Sequence, residues 1–203
     1  MSDGPLLAVH GVSHGVLRDV DLEAEPGTLV ALTGHSGSGK STLCHLVAGF
    51  ERPTRGTVTV AGRPAADLTD WTRIAVVPQR LALLDQLTAV ENLALPLLSS
   101  GREADPRAAR DLLGRLGVTA LANRPAGQGS IGEQQRIAVA RALFGSAAVI
   151  VLDEPTAHQD DESAQRVIDV VLQAVEAGSL VVTSTHDPRL LERAAFRLAL
   201  GSG

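Results

Sequence analysis

The stretch Leu29-Val30-Ala31-Leu32-Thr33-Gly34-His35-Ser36-Gly37-Ser38-Gly39-Lys40-Ser41-Thr42 decides the fold. Its first five residues lack polar alternation, which predicts a strand buried on both faces, as in a parallel sheet. Gly34 to Ser41 then satisfies G-x-x-x-x-G-K-[ST] between that strand and a helix-forming stretch, Leu43 to Ala48, the context the motif requires. Glycines let the backbone turn tightly so that successive N–H groups converge on one concavity, and a helix N-terminus adds partial positive charge. A polyphosphate fits such a cradle. Lys40 is placed to reach the β- and γ-phosphates, the Ser41 hydroxyl to coordinate Mg²⁺, and Thr42 to brace the loop. An incidental Gly/Ser turn is the bland alternative, and a full match at a strand-to-helix junction argues against it.

Outward from this loop, Ile74 to Val77, Val149 to Leu152 and Leu180 to Thr185 are further short apolar runs that predict doubly buried strands. Between the last two, Ala164, Val167, Ile168, Val171, Leu172 and Val175 recur at helical spacing, which makes a βαβ crossover. Apolar and polar residues alternate before Leu29 and again from Thr57 to Val60, between Gly56 and Gly62, predicting a smaller antiparallel layer. Leu81 to Arg124 reads differently, with mixed charges, Pro96, Pro106 and helical spacing at Leu112, Leu113 and Leu116. We expect one domain over 1–203, with about 81–145 forming a helical subdomain inserted in an α/β core.

Composition narrows the class. The 203 residues are 44% hydrophobic and 20% charged, as in ordinary globular domains. With three Phe, one Trp (Trp71) and no Tyr, the core must be aliphatic. Cys44 is the single cysteine, so no internal disulfide forms. The 18 basic and 23 acidic residues give a formal charge of −5, which argues against a broad basic face for nucleic acid. No uncharged apolar run approaches the roughly 18 residues needed to span a bilayer. The chain is therefore expected in the cytoplasm, and any membrane contact must come through a partner.

The second chemical element is Val149-Ile150-Val151-Leu152-Asp153-Glu154, an apolar strand ending in two carboxylates before Pro155. Neighbouring side chains on a strand point opposite ways, so Asp153 can face a metal shell while Glu154, past the strand end, approaches a water attacking the γ-phosphate.

Five segments in order, the phosphate loop, Val76-Val77-Pro78-Gln79, Ser130-Ile131-Gly132-Glu133-Gln134-Gln135-Arg136, Asp153-Glu154-Pro155-Thr156 and Ser184-Thr185-His186-Asp187, resemble an ABC-type ATPase subunit. Ile137 to Leu143 and Leu87 to Leu93 resemble that family too. The likeness covers nearly the whole chain and looks nearest to the stand-alone ATPases of lipoprotein-release and macrolide-export systems. It implies a P-loop NTPase fold of ABC type: a mostly parallel α/β core sheet, a small antiparallel layer and an inserted helical subdomain. It also implies ATP and Mg²⁺ as ligands, an ATP-dependent head-to-tail homodimer, a transmembrane permease as partner and no nucleic acid. By the resemblance, Gly34, Ser36, Gly37, Ser38, Gly39, Lys40, Ser41 and Thr42 cradle the phosphates, while Ser41, Gln79 and Asp153 hold the metal. Glu154, Gln79 and His186 act in catalysis, His186 as the switch that bonds the γ-phosphate. Ser130 and Gly132 contact the ATP of the opposite subunit, and Asp160 crosses the dimer interface, although a helix cap explains Asp160 equally.

Several positions depart from the pattern the resemblance sets. Gly129 replaces an apolar anchor and Ile131 stands where glycine is expected, so Ile131 either obstructs a γ-phosphate or packs into the helical lobe in place of that anchor. A nucleotide-binding regulatory subunit with weak or no hydrolysis is therefore the alternative. No aromatic precedes Phe50 to stack on adenine, and His14 is the nearest candidate. His158 and Gln159 occupy positions where small and apolar residues are common.

Overall fold

The computed structural model describes residues 4–68 and 73–201; Trp71 lies outside them. Two antiparallel strands, β1 (Leu7–His14) and β2 (Leu17–Ala24), lead into β3 (Leu29–Thr33) and α1 (Lys40–Val47). After α1 come β4 (Arg55–Val60), the short β5 (Arg63–Pro64) and β6 (Ile74–Val77). Three helices follow, α2 (Ala89–Ser99), α3 (Pro106–Arg115) and α4 (Ile131–Phe144), and then β7 (Val149–Asp153), α5 (Asp161–Glu176), β8 (Leu180–Ser184), α6 (Pro188–Arg193) and β9 (Phe196–Ala199).

The strands form two sheets. An antiparallel sheet has the order β2-β1-β4-β5, and a five-stranded sheet has the order β6-β7-β8-β3-β9 with parallel pairing throughout. Each of the four doubly buried runs is a strand of the parallel sheet. Three expected ends shift by a residue, β7 extending to Asp153, β8 stopping at Ser184 and α1 ending at Val47, while α1 begins three residues early, at Lys40. The ninth strand has no counterpart in the sequence reading, because it is short, largely exposed and lies at the sheet edge.

Alternation along β7 sorts the two faces. Val149 and Val151 join α1 and the antiparallel sheet in one core, while Ile150 and Leu152 join α2, α3, α4 and α5 in the other. Asp153 continues the first series, and so lies on the α1 side of the sheet. Burying both faces of a strand with Val, Ile and Leu stabilises it by about 1.5–3 kcal/mol per side chain, which is why these runs need no polar alternation.

The helical segment opens with capping. Thr88 caps α2 in a reciprocal box with Glu91, and Ser130 caps α4 in the same way with Glu133. Pro96 sits inside α2 and Pro106 at the start of α3, where a missing N–H is tolerated.

Candidate active site

The C-terminal ends of β6, β7, β8 and β3 lie along one edge of the parallel sheet. Register sets Asp153 and Leu32 on either side of Ser184. The loop after Thr33 and the carboxylates after Leu152 are therefore one strand apart, and Gln79, two residues past β6, lies exposed beyond them on the same edge.

The loop from Gly34 to Gly39 is built on left-handed backbone at Gly34 (φ 139°), Gly37 (φ 81°) and Gly39 (φ 103°). Such angles favour glycine, and at Gly34 a Cβ would also collide with Leu200 O and Ser38 Oγ. Lys40 Nζ donates to Gly34 O at 2.8 Å and to His35 O at 3.1 Å, so the ammonium lies across its own loop. Ser38 Oγ is buried and has no hydrogen-bond partner among the described residues. An orphaned buried hydroxyl costs free energy unless a ligand satisfies it. Ser41 and Thr42 follow in the first turn of α1.

Asp153 is 5% exposed and accepts a hydrogen bond from the Ser184 hydroxyl. Ser184 is thus part of the site; it heads the Ser184-Thr185-His186-Asp187 segment in the sequence reading, which gave it no role. Glu154 holds a left-handed φ of 50°, its N–H donating to Ser184 O at 3.1 Å. A non-glycine residue in that region is strained, and such strain collects at functional sites. His186 Nε2 stands 3.5 Å from Glu154 Oε1. Cys44, on α1 behind these carboxylates, has its thiol pKa pushed far up by burial and further by the charge of Asp153, which makes it a core residue rather than a nucleophile.

Two buried polar residues that sequence reasoning missed shape the loop beyond Gln79. Arg141 donates to Ala82 O at 2.7 Å and Leu81 O at 3.0 Å. Asn92 accepts from Leu84 N and donates to Leu84 O, each at 3.0 Å, and also bonds Leu87 O and Thr88 O. Their partners are backbone groups, which leave no pattern in a sequence.

Ser130, Gly132 and Asp160 lie at helix starts apart from the phosphate loop. Ser130 accepts from Glu133 N, and hydrogen bonds from Ser130 hold the Glu133 carboxyl below its usual value. Asp160 caps α5, accepting from Ser163 N at 2.8 Å, so the capping role is real. Ile131 is 66% exposed at the first position of α4, which overturns the option that it packs into the helical lobe. The space beside Gly129 is filled instead by Leu121, whose Cδ1 would stand 2.9 Å from a Cβ there. Gly129 itself has ordinary extended backbone (φ −75°, ψ 155°), so it lends Ser130 no special freedom. His14, the adenine-stacking candidate, has its ring nitrogens 2.9 Å from Glu51 Oε2 and 3.1 Å from Thr54 Oγ1.

A parallel sheet, a glycine-rich loop entering a helix and an acidic strand end with one strand between them define a P-loop NTPase. Residues 17–157 match the ABC transporter family, and the chain belongs to it as an ATP-binding cassette of the ABC ATPases. It is 39% identical over 199 residues to the lipoprotein-releasing system ATP-binding protein LolD 1 of Caulobacter vibrioides, covering 93% of this chain and 85% of that one. It is also 39% identical to the macrolide export ATP-binding/permease protein MacB of Rhodopseudomonas palustris, covering 92% of this chain but only 30% of MacB. Among solved structures, a dimeric post-hydrolysis state of the ATP-binding cassette MJ0796 bound to ADP and Pi has a TM-score of 0.85 at 29% identity, over 96% of this chain and 94% of that one. The expected fold class, an α/β P-loop NTPase of ABC type, and the expected ATPase activity class stand. No observation favours a regulatory subunit that fails to hydrolyse.

Proposed function

We propose that this cassette binds Mg-ATP at Gly34 to Thr42, hydrolyses it with Glu154, and drives a separate transmembrane permease by closing on a second copy of itself. The observation that carries the reading is the convergence of the Lys40 loop, the buried Asp153 and the strained Glu154 on one sheet edge. Mg²⁺ fits the residues present: the Ser41 hydroxyl, Asp153 carboxylate and Gln79 amide offer hard oxygen donors, and Asp153 is already oriented by Ser184. Bound there, the ion would neutralise charge developing on the phosphates.

The chain's own groups do the rest. Lys40 exchanges the carbonyls of Gly34 and His35 for the β- and γ-phosphates, and Ser38 Oγ gains the partner it lacks. Glu154 orients the attacking water and accepts its proton, with His186 beside it to bond the γ-phosphate. Ser130 and Gly132 of a second copy close over that phosphate in a head-to-tail dimer, with Asp160 at the seam. Segment 81–145 is the lobe that reads the permease, through the loop that Arg141 and Asn92 fasten beyond Gln79. Membrane association of the cassette, on the cytoplasmic face, comes through that permease; among the described residues no helix is long and apolar enough to cross a membrane. Copurification with the permease, followed by ATPase assay with and without it, tests the reading. Turnover that responds to the permease supports it, and a cassette that neither captures a membrane protein nor responds to one counts against it.

A further inference from the structure

The segment that links Glu154 to α5 is stitched to the first turns of α4 by side chains, and we infer that Gln159 is a positioning residue that makes the Ser130–Gly132 turn and the Glu154 carboxylate of one subunit move as a single body. The inference rests on the roles proposed above for Ser130, Gly132 and Glu154.

Gln159 Nε2 donates to Gly132 O at 3.0 Å, while Arg136 Nη1 donates to Gln159 Oε1. A guanidinium has donors only, so it holds the amide oxygen toward itself and turns the NH₂ group to Gly132. Beside Arg136 on α4, the buried Gln135 donates to Glu154 O at 3.2 Å. The two backbones also meet directly: a Cβ on Gly132 would stand 2.8 Å from His158 O. Glu154 (φ 50°) and His158 (φ 61°) both hold left-handed backbone, which persists only where the surroundings over-determine it. At the far end Asp160 caps α5.

Segment 154–160 is thus pinned at both ends and bonded to α4 between them. An apolar side chain at 159 would fill the same space without oriented bonds. In the proposed dimer Ser130 and Gly132 serve the partner's ATP and Glu154 serves its own, so the stitching passes displacement at one site to the other.

The test is Gln159→Leu in the full chain, with Arg136→Lys beside it. For Gln159→Leu, kcat for ATP should fall about tenfold with KM within about twofold, because a misplaced reacting geometry costs the transition state and not ground-state binding. Arg136→Lys leaves Gln159 in place and keeps a donor to its Oε1, so its kcat should fall much less than that of Gln159→Leu. The second measurement is amide hydrogen exchange with Mg-ADP, which fills the phosphate loop but carries no γ-phosphate to reach a second subunit. In the natural sequence nucleotide should slow exchange in 154–160 and in 130–137 alike; in Gln159→Leu it should slow only 154–160. An identical response at 130–137 in both proteins, or none in the natural sequence, overturns the inference. Exchange decides it even if the natural sequence does not turn over ATP, an outcome that would sink the proposed function instead. A lower thermal midpoint with unchanged kcat and an unchanged exchange response would make Gln159 a packing residue only.

Discussion

His186 Nε2 lies 3.5 Å from Glu154 Oε1, joining the ends of the neighbouring strands β8 and β7. The imidazole is 68% exposed and the carboxylate 32%, so the pair is open to solvent. Register, not sequence proximity, brings them together: Asp153 is opposite Ser184, and each chain continues one or two residues past that rung.

Lys40→Ala should leave the fold intact, because both hydrogen bonds of the ammonium go to carbonyls of its own loop. Mg-ATP affinity, measured by calorimetry, should fall by at least about a hundredfold, roughly 2.7 kcal/mol, the scale of charge-assisted bonds to phosphate. Unchanged affinity in a folded variant would remove the loop from the account.

In Glu154→Gln, ATP should accumulate uncleaved and hold two copies together. Size-exclusion chromatography in Mg-ATP should show a dimer that Mg-ADP does not support. A variant that stays monomeric in ATP while binding it would separate hydrolysis from closure.

Ile131→Gly should raise ATPase turnover or ATP-dependent dimerisation. The side chain is exposed at the head of α4, so truncation removes little packing and costs under about 1 kcal/mol in helix propensity. Glycine there lets the α4 amides approach a phosphate without a Cβ. A folded variant with a lower thermal midpoint and no gain in either property would show that the isoleucine is not an obstruction.

The reciprocal cap of α4 predicts a pH signature. Hydrogen bonds from Ser130 hold Glu133 below its ordinary value in the folded protein, so the unfolded chain takes up its proton first as pH falls. Its stabilisation is present above the ordinary glutamate value and is lost as pH drops through the folded value. The midpoint difference between the natural sequence and Glu133→Gln should therefore be largest near neutrality and shrink as pH falls below the ordinary glutamate range. A gap that widens in acid would contradict the cap.

The parallel sheet was legible because strands such as Val149–Asp153 are apolar on both faces, and the phosphate loop because its glycines must stand at fixed intervals for the backbone to turn. What stayed hidden follows one rule. Ser184, Asn92, Arg141 and Gln135 act on groups brought near by folding, mostly backbone carbonyls that every residue carries, so no spacing announces them. β9 escaped because an exposed edge strand needs neither alternation nor an apolar run. Ile131 was ambiguous in sequence because exposure and packing are not encoded by residue type alone.

Phosphate release from Mg-ATP, followed in the natural sequence and in Glu154→Gln side by side, tests the central claim most directly. The account predicts steady release by the natural sequence and a loss of about 10²- to 10⁴-fold in Glu154→Gln with ATP binding retained, since the amide keeps the shape but cannot accept the proton of water. Equal rates in the two proteins would contradict it.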